Sequence, residues 1–205
     1  LCDIYPAREQ PIPGVTSKLI YDNLKPGVEK SMIHKEDVLE NVDENTILVS
    51  VMCVNNETGA IMNVTDIFSA VKAKNSDVIC HTDAVQAFGK ISLSASRLHA
   101  DLISVSGHKI HAPKGVGAIF VKKGVRLVPL HYGGEQEKKL RPGTEAIPLI
   151  AAMGVACGEF NIDKNYDYVS KLNSYAKDKL LKIDGVSLNS PENALPYVLN
   201  ISAGK

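Results

Sequence analysis

"SVSGHKIHAPKGVGAIFV", residues 104–121, sets a lysine between two apolar stretches. "ADLISVS" runs into Ser106, Gly107 and His108 just ahead of Lys109, and a Pro-Lys-Gly-Val-Gly turn follows at 113–117. The flanking runs have strand character, over 98–106 and 117–124, so the polar cluster falls at a strand end. A lysine near apolar walls has a lowered pKa and can act as an amine nucleophile. Ser106 and His108 beside it can bind a phosphate. For any single lysine, a solvent-facing loop position is the commoner explanation.

Working outward, further β-branched or apolar runs predict strands over 45–54, 77–84 and 197–202. Helical spacing marks 64–74, with Thr65 or Asn63 as cap, and also 145–160 and 168–183. Strands alternating with helices predict an α/β fold with a largely parallel or mixed sheet. In open α/β sheets, ligands gather outside the carboxyl ends of the strands. Polar residues fall there three times: Asn55 and Asn56, then Asp83 and Gln86, then Ser106 to Lys109.

Asp83 ends the apolar strand of "VICHTDAVQ". A buried carboxylate is costly unless a cation or several donors meet it. A protonated pyridine nitrogen would be such a cation, and Gln86 would reach a neighbouring ring oxygen. Alternatively, Asp83 caps a short helix, "AVQAFG". Taken alone, the cap is the better account; Lys109, Gln86 and Asn56 at neighbouring strand ends change the balance. An amine nucleophile, a pyridinium partner and phosphate donors are the parts that pyridoxal phosphate needs from a protein.

Bulk properties narrow the class. The 205 residues are 44% hydrophobic and 22% charged, with a formal net charge of +0. This is an ordinary globular composition, with no basic stripe for nucleic acid and no apolar run long enough to span a bilayer. The first residues lack a signal-peptide pattern, so a cytoplasmic protein is expected. Cys2, Cys53, Cys80 and Cys157 form no Cys-x-x-Cys pair, and Cys53 and Cys80 are expected as buried, reduced thiols. His34, His99, His111 and His131 have no metal spacing. His81 and Asp83 share a strand face but lack an evident third ligand, so a packed or cofactor-adjacent histidine is expected, and no metal site.

"VNNETGAI", "HTDAVQAFGK", "SGHKIHAPKGVGA" and "HYGGEQEKKLRPGTE" occur in the order and spacing of the cysteine desulfurases. The region they span resembles that family, fold-type I enzymes of the class-V aminotransferase group, with pyridoxal 5'-phosphate as cofactor. The resemblance implies roles residue by residue. Lys109 matches the lysine that bonds the cofactor. Asp83 matches the acid paired with the pyridine nitrogen, Gln86 the contact to the ring hydroxyl, and Asn56 the asparagine near cofactor and substrate carboxylate. Ser106 and His108 match phosphate ligands. Thr144 matches a threonine that reaches the phosphate in the partner subunit, which implies a homodimer. L-Cysteine as substrate, and a sulfur-acceptor or iron-sulfur scaffold protein as partner, follow from the same resemblance.

The sequence departs from the pattern at Ala112, where glycine is usual, at Glu135, which interrupts a glycine run, and at Pro142. If position 112 needs a positive φ, alanine is unfavourable there, and Glu135 would disfavour a nearby phosphate. The family's upstream phosphate loop, stacking histidine and downstream catalytic cysteine loop have no counterpart here. The chain is therefore expected to be incomplete and not competent alone; Cys53 is the nearest thiol, but it belongs to a strand. Residues 1 to about 40, with "DIYPAREQPIPGVTS", resemble instead the C-terminal domain of the Mur ligases, of the UDP-N-acetylmuramate–L-alanine ligase type, which implies a chimera. No phosphate-binding Gly-x-x-x-x-Gly-Lys motif supports ligase activity. The expected organisation is a Mur-type β-α-β segment over 1–42, a PLP-binding large domain over 43–160, and a linker helix with the start of a small domain over 161–205. A non-catalytic chimeric scaffold and another class-V enzyme, such as an aminotransferase, are the alternatives.

Overall fold

The computed structural model describes residues 32–204. The expected β-α-β piece over 1–42 lies outside the described residues except for 32–42. Strand β1 (Leu48–Met52), β2 (Ile79–Asp83) and β3 (Leu102–Ser106) lie side by side in parallel. β4 (Gly117–Val121) closes the row antiparallel to β3. This is the mixed α/β sheet expected. Parallel neighbours need a crossover; α2 (Val64–Lys74) provides it between β1 and β2, and turns with the short α3 (Ala95–Leu98) provide it between β2 and β3.

Helix α2 forms where the apolar spacing puts it. Val64, Ile67, Phe68 and Val71 are all buried and recur at the spacing of one helical face. Asn63, not Thr65, is the cap: its side-chain oxygen accepts from the Asp66 N–H at 3.3 Å. Those residues pack with Val51, Cys53, Val54, Val78 and Cys80 into the main core. Residues before 43 join it. Val38 and Val42 are buried in the same cluster, and Lys74 Nζ donates to the carbonyl of Leu39, in α1 (Lys35–Leu39), at 2.7 Å.

The end of the sheet away from the site is tied by Asp101. This carboxylate is 3% exposed. It pairs with Lys72 at 2.7 Å and Lys122 at 3.1 Å, and accepts from the Cys80 N–H at 2.9 Å. Burial opposes its charge, but these three donors outweigh burial and hold the carboxyl below the usual carboxylate range.

Beyond β4 come α4 (Ile147–Gly158) and α5 (Ile162–Leu180), then an antiparallel pair, β5 (Val186–Leu188) and β6 (Ile201–Ala203). α5 starts six residues before the expected 168, because Asn161 caps it through the Lys164 N–H at 3.2 Å. The strand expected over 197–202 shrinks to 201–203. The residues before it return to the core: Leu195 is fully buried and its N–H donates to the Gly59 carbonyl at 2.8 Å. Gly59 has φ +78, and a Cβ there would stand 3.0 Å from Val198 Cβ, so this close approach requires glycine.

Candidate cofactor site

The polar strand ends meet at one edge of the sheet. Asp83 ends β2 in register with Met52 of β1 and Ser104 of β3. Its carbonyl accepts from the Cys53 N–H at 2.8 Å, and the next N–H, of Ala84, donates to Ser104 O at 2.9 Å. The strand end is thus held from both sides. The Asp83 side chain belongs to a residue only 4% exposed.

The segment 84–90 is a run of turns, not the short helix expected. Asp83 Oδ1 accepts from the Val85 N–H at 2.7 Å, capping that turn. Among the described residues no donor reaches Oδ2. One oxygen thus serves the turn, as the cap account expects, and no described donor claims the other. A pyridinium N–H, cation and donor together, fits such an oxygen.

Gln86 follows within the turn, 7% exposed, with its Oε1 accepting from Lys90 Nζ at 3.2 Å. Ser106 ends β3 and leads into a single 3-10 turn over Gly107–Ile110. Ser106 Oγ and His108 Nδ1 lie 2.8 Å apart, a hydroxyl–imidazole pair at a strand end, suited to a phosphate oxygen. Lys109 is half-buried in this turn, and among the described residues its amine makes no hydrogen bond or ion pair. Gly107 makes the turn possible: a Cβ there would come within 2.8 Å of Val116 Cγ1.

Two of the departures from the family pattern, Ala112 and Glu135, resolve individually. The left-handed residue is His111, at φ 68, and not Ala112. Ala112 is buried against Ile110 and Met153, so its methyl adds packing and meets no positive φ. Glu135 is exposed and pairs with Lys139 at 2.8 Å. Asn56 is exposed, and it is Asn55 that builds the loop, accepting from the N–H groups of Glu57 (2.8 Å) and Thr58 (2.9 Å). Thr144 is exposed as well. The structure thus groups Asp83 with Gln86, and Ser106 with His108 and Lys109, on adjacent strands; no contact ties Asn56 or Thr144 to them among the described residues.

Two further residues belong to this region. His81 lies one strand pleat behind Asp83, with Nδ1 2.7 Å from Ser50 Oγ on β1 and Nε2 3.1 Å from Ser104 Oγ on β3. It is the packed histidine expected; burial lowers its pKa, against the opposing pull of Asp83. Lys90 is the other, and only its contact with Gln86 discloses it. Cys53 and Cys80 are buried free thiols, as expected. Burial, then the Asp83 charge, push the Cys53 thiol up to about 11, which suits a core residue and not a nucleophile.

The family described as aminotransferase class-V matches residues 24–205. The chain belongs to that family. Its match begins inside the 1–42 segment expected to be of Mur ligase type. A mitosomal cysteine desulfurase from Encephalitozoon cuniculi is 38% identical over 173 residues, 82% of this chain and 39% of that protein. A solved NifS-like protein is 39% identical with a TM-score of 0.79, covering 85% of this chain and 48% of the other. A structure described as SspA in complex with cysteine is 35% identical with a TM-score of 0.74, again over 85% and 48%. The chain spans about two-fifths of the length of the curated relatives it matches.

Proposed function

We propose that this chain is the cofactor-binding part of a pyridoxal phosphate-dependent cysteine desulfurase. Its reaction would turn L-cysteine into L-alanine and pass the sulfur to an acceptor thiol. The cysteine C–S bond breaks, a proton replaces sulfur on carbon, and the acceptor thiol R–SH becomes R–S–SH. The observation that carries the reading is the nearly buried Asp83 carboxylate, one strand from the amine of Lys109, with one Asp83 oxygen and the Lys109 amine unclaimed among the described residues. The names of the similar desulfurases support the substrate class.

When bound, the cofactor supplies an electron sink for bonds breaking at the amino acid's α-carbon. The chain's residues do the rest. Asp83 Oδ2 holds a proton on the ring nitrogen, and Gln86 Nε2 donates to the ring hydroxyl oxygen. Ser106 and His108 anchor the phosphate. Lys109 Nζ moves protons between substrate carbon and nitrogen. Asn56 is assigned to the substrate carboxylate side. Thr144 is assigned to the phosphate in a second copy; exposed Val128, Leu130 and Tyr132 nearby in sequence support a homodimer. An iron-sulfur scaffold protein remains the proposed sulfur acceptor. The ligase resemblance of "DIYPAREQPIPGVTS" supports a chimeric origin, which the genomic sequence around it would test.

The decisive experiment is reductive trapping. Pyridoxal phosphate added to the chain should give a visible band, and borohydride should fix it on the peptide containing Lys109. L-Cysteine should perturb the band before reduction. Labelling elsewhere with Lys109 untouched, or no band at all, would favour the non-catalytic scaffold.

A further inference from the structure

The side chain of Gln86 ends in a carboxamide that can present either an acceptor or two donors to the site. Which end points where is decided by Lys90. An ammonium has three donors and no acceptor, so the amide oxygen must face Lys90 Nζ, at 3.2 Å. The NH2 end is then the one left for a ligand. Among the described residues nothing accepts from it.

Lys90 is held in place for this contact. The turn 84–90 closes through the Phe88 N–H to Ala84 O at 2.8 Å and the Lys90 N–H to Ala87 O at 3.0 Å. Gly89, at φ +75, reverses the chain just before Lys90, and a Cβ there would come within 2.8 Å of the Phe160 ring. The Tyr197 ring takes the ammonium on another side, 5.6 Å from Nζ to the centroid. Burial, and then the neighbouring charge of Lys109, lower the Lys90 pKa to about 8. A lysine accepting that desolvation is not an ordinary surface lysine.

We propose that Lys90 is the positioning residue for Gln86: its ammonium pins the carboxamide oxygen and so presents the Nε2 hydrogens to the hydroxyl oxygen of the pyridoxal ring. This rests on the reading that the cofactor occupies the site and bonds Lys109. Without Lys90 the amide can turn over and present its oxygen instead, and the ring oxygen then loses the N–H donor that Gln86 would supply.

The test is a double-mutant cycle read by cofactor binding. Pyridoxal phosphate affinity and the position of the visible band are measured for the parent, Lys90→Met, Gln86→Leu and the double variant. Losing a charged hydrogen bond that orients a ligand contact should weaken binding about tenfold. In the Gln86→Leu background the same Lys90 change should matter less than about twofold, since coupled residues are non-additive. Lys90→Arg, which keeps the donor and the charge, should restore most of the affinity and the parental band. Equal effects of Lys90→Met in both backgrounds, with Lys109 trapped by borohydride in the parent, would overturn the proposal while leaving the cofactor reading intact. Failure to trap Lys109 in the parent would overturn both.

Discussion

Asp83→Asn separates a fold role from a cofactor role, because the two predict opposite signs. Asparagine keeps a side-chain oxygen for the Val85 N–H, now 2.7 Å from Oδ1, so the turn cap survives. What disappears is a charge on a residue 4% exposed, with no donor on its second oxygen among the described residues. Removing a poorly compensated charge from an apo site should leave stability unchanged or raise it by about 1 kcal/mol, the usual trade between stability and function. Cofactor binding should move the other way. At a hydrogen-bond separation of about 3 Å and an effective dielectric of about 20, a carboxylate and a pyridinium attract by roughly 5 kcal/mol. Breaking a buried pair typically costs about 3–5 kcal/mol, which corresponds to a loss of roughly 10²- to 10³-fold or more in affinity. Urea unfolding without cofactor and a pyridoxal phosphate titration followed by absorbance measure the two arms. An Asn variant that loses more than about 1 kcal/mol of stability yet binds the cofactor like the parent would refute the reasoning and leave Asp83 as a turn cap.

Other outcomes follow from the same contacts. With a thiol reagent at pH 8, Cys157, which is half-buried, should be modified in the native protein; Cys53 and Cys80, both pushed up to about 11, should be modified only on unfolding, and peptide mapping of alkylated cysteines checks this. Asp101→Ala should destabilise by about 3–5 kcal/mol in urea, since it leaves Lys72 and the Cys80 N–H without their buried partner, whereas Lys122→Ala, on the exposed arm, should cost less than about 1 kcal/mol. Equal losses in the two variants would mean that Lys122 carries the clamp. Lys90 gives a pH signature: its pKa is about 8 folded against 10.5 as the ordinary value, so the folded state disfavours the charged form. That penalty is full below pH 8 and fades as pH rises toward 10.5, above which both states become neutral. The stability of Lys90→Met relative to the parent should therefore decline from pH 8 to 10.5; a difference that rises or stays flat across that window would contradict the shift.

Much of the fold was legible because its signals are local. β1, β2 and β3 sit inside apolar runs bounded by polar residues, and α2 covers 64–74 as its spacing requires. The carboxyl ends of the three parallel strands could be located before any contact was known, and Asp83, Gln86 and Ser106 to Lys109 fall there. What was not legible depends on partners distant in the chain. Leu195 shortens an expected strand because it bonds to Gly59, and neither sequence neighbourhood announces the other. His81 makes sense only once register places Ser50 and Ser104 beside it. Lys90 has the sequence surroundings of a solvent-facing lysine, and acquires a role only because Gly89 turns it back over Gln86.

Asp83 shows why sequence left its role open. As a cap it needs one acceptor; as a pyridinium partner it needs another. Local patterns pose these as rivals because each is recognised by the same residue type at the same place, a strand end before a turn. A carboxylate has two oxygens, and among the described residues the backbone N–H of Val85 claims one of them and nothing claims the other. The turn then does more than use the residue: it fixes the side-chain rotation, so the remaining oxygen is held in place before any ligand arrives. Preorganisation of that kind lowers the entropy that a cofactor must overcome on binding. Asn at 83 would keep the same fixed rotation but lose the charge, which is why that one substitution can isolate the electrostatic contribution from the geometric one.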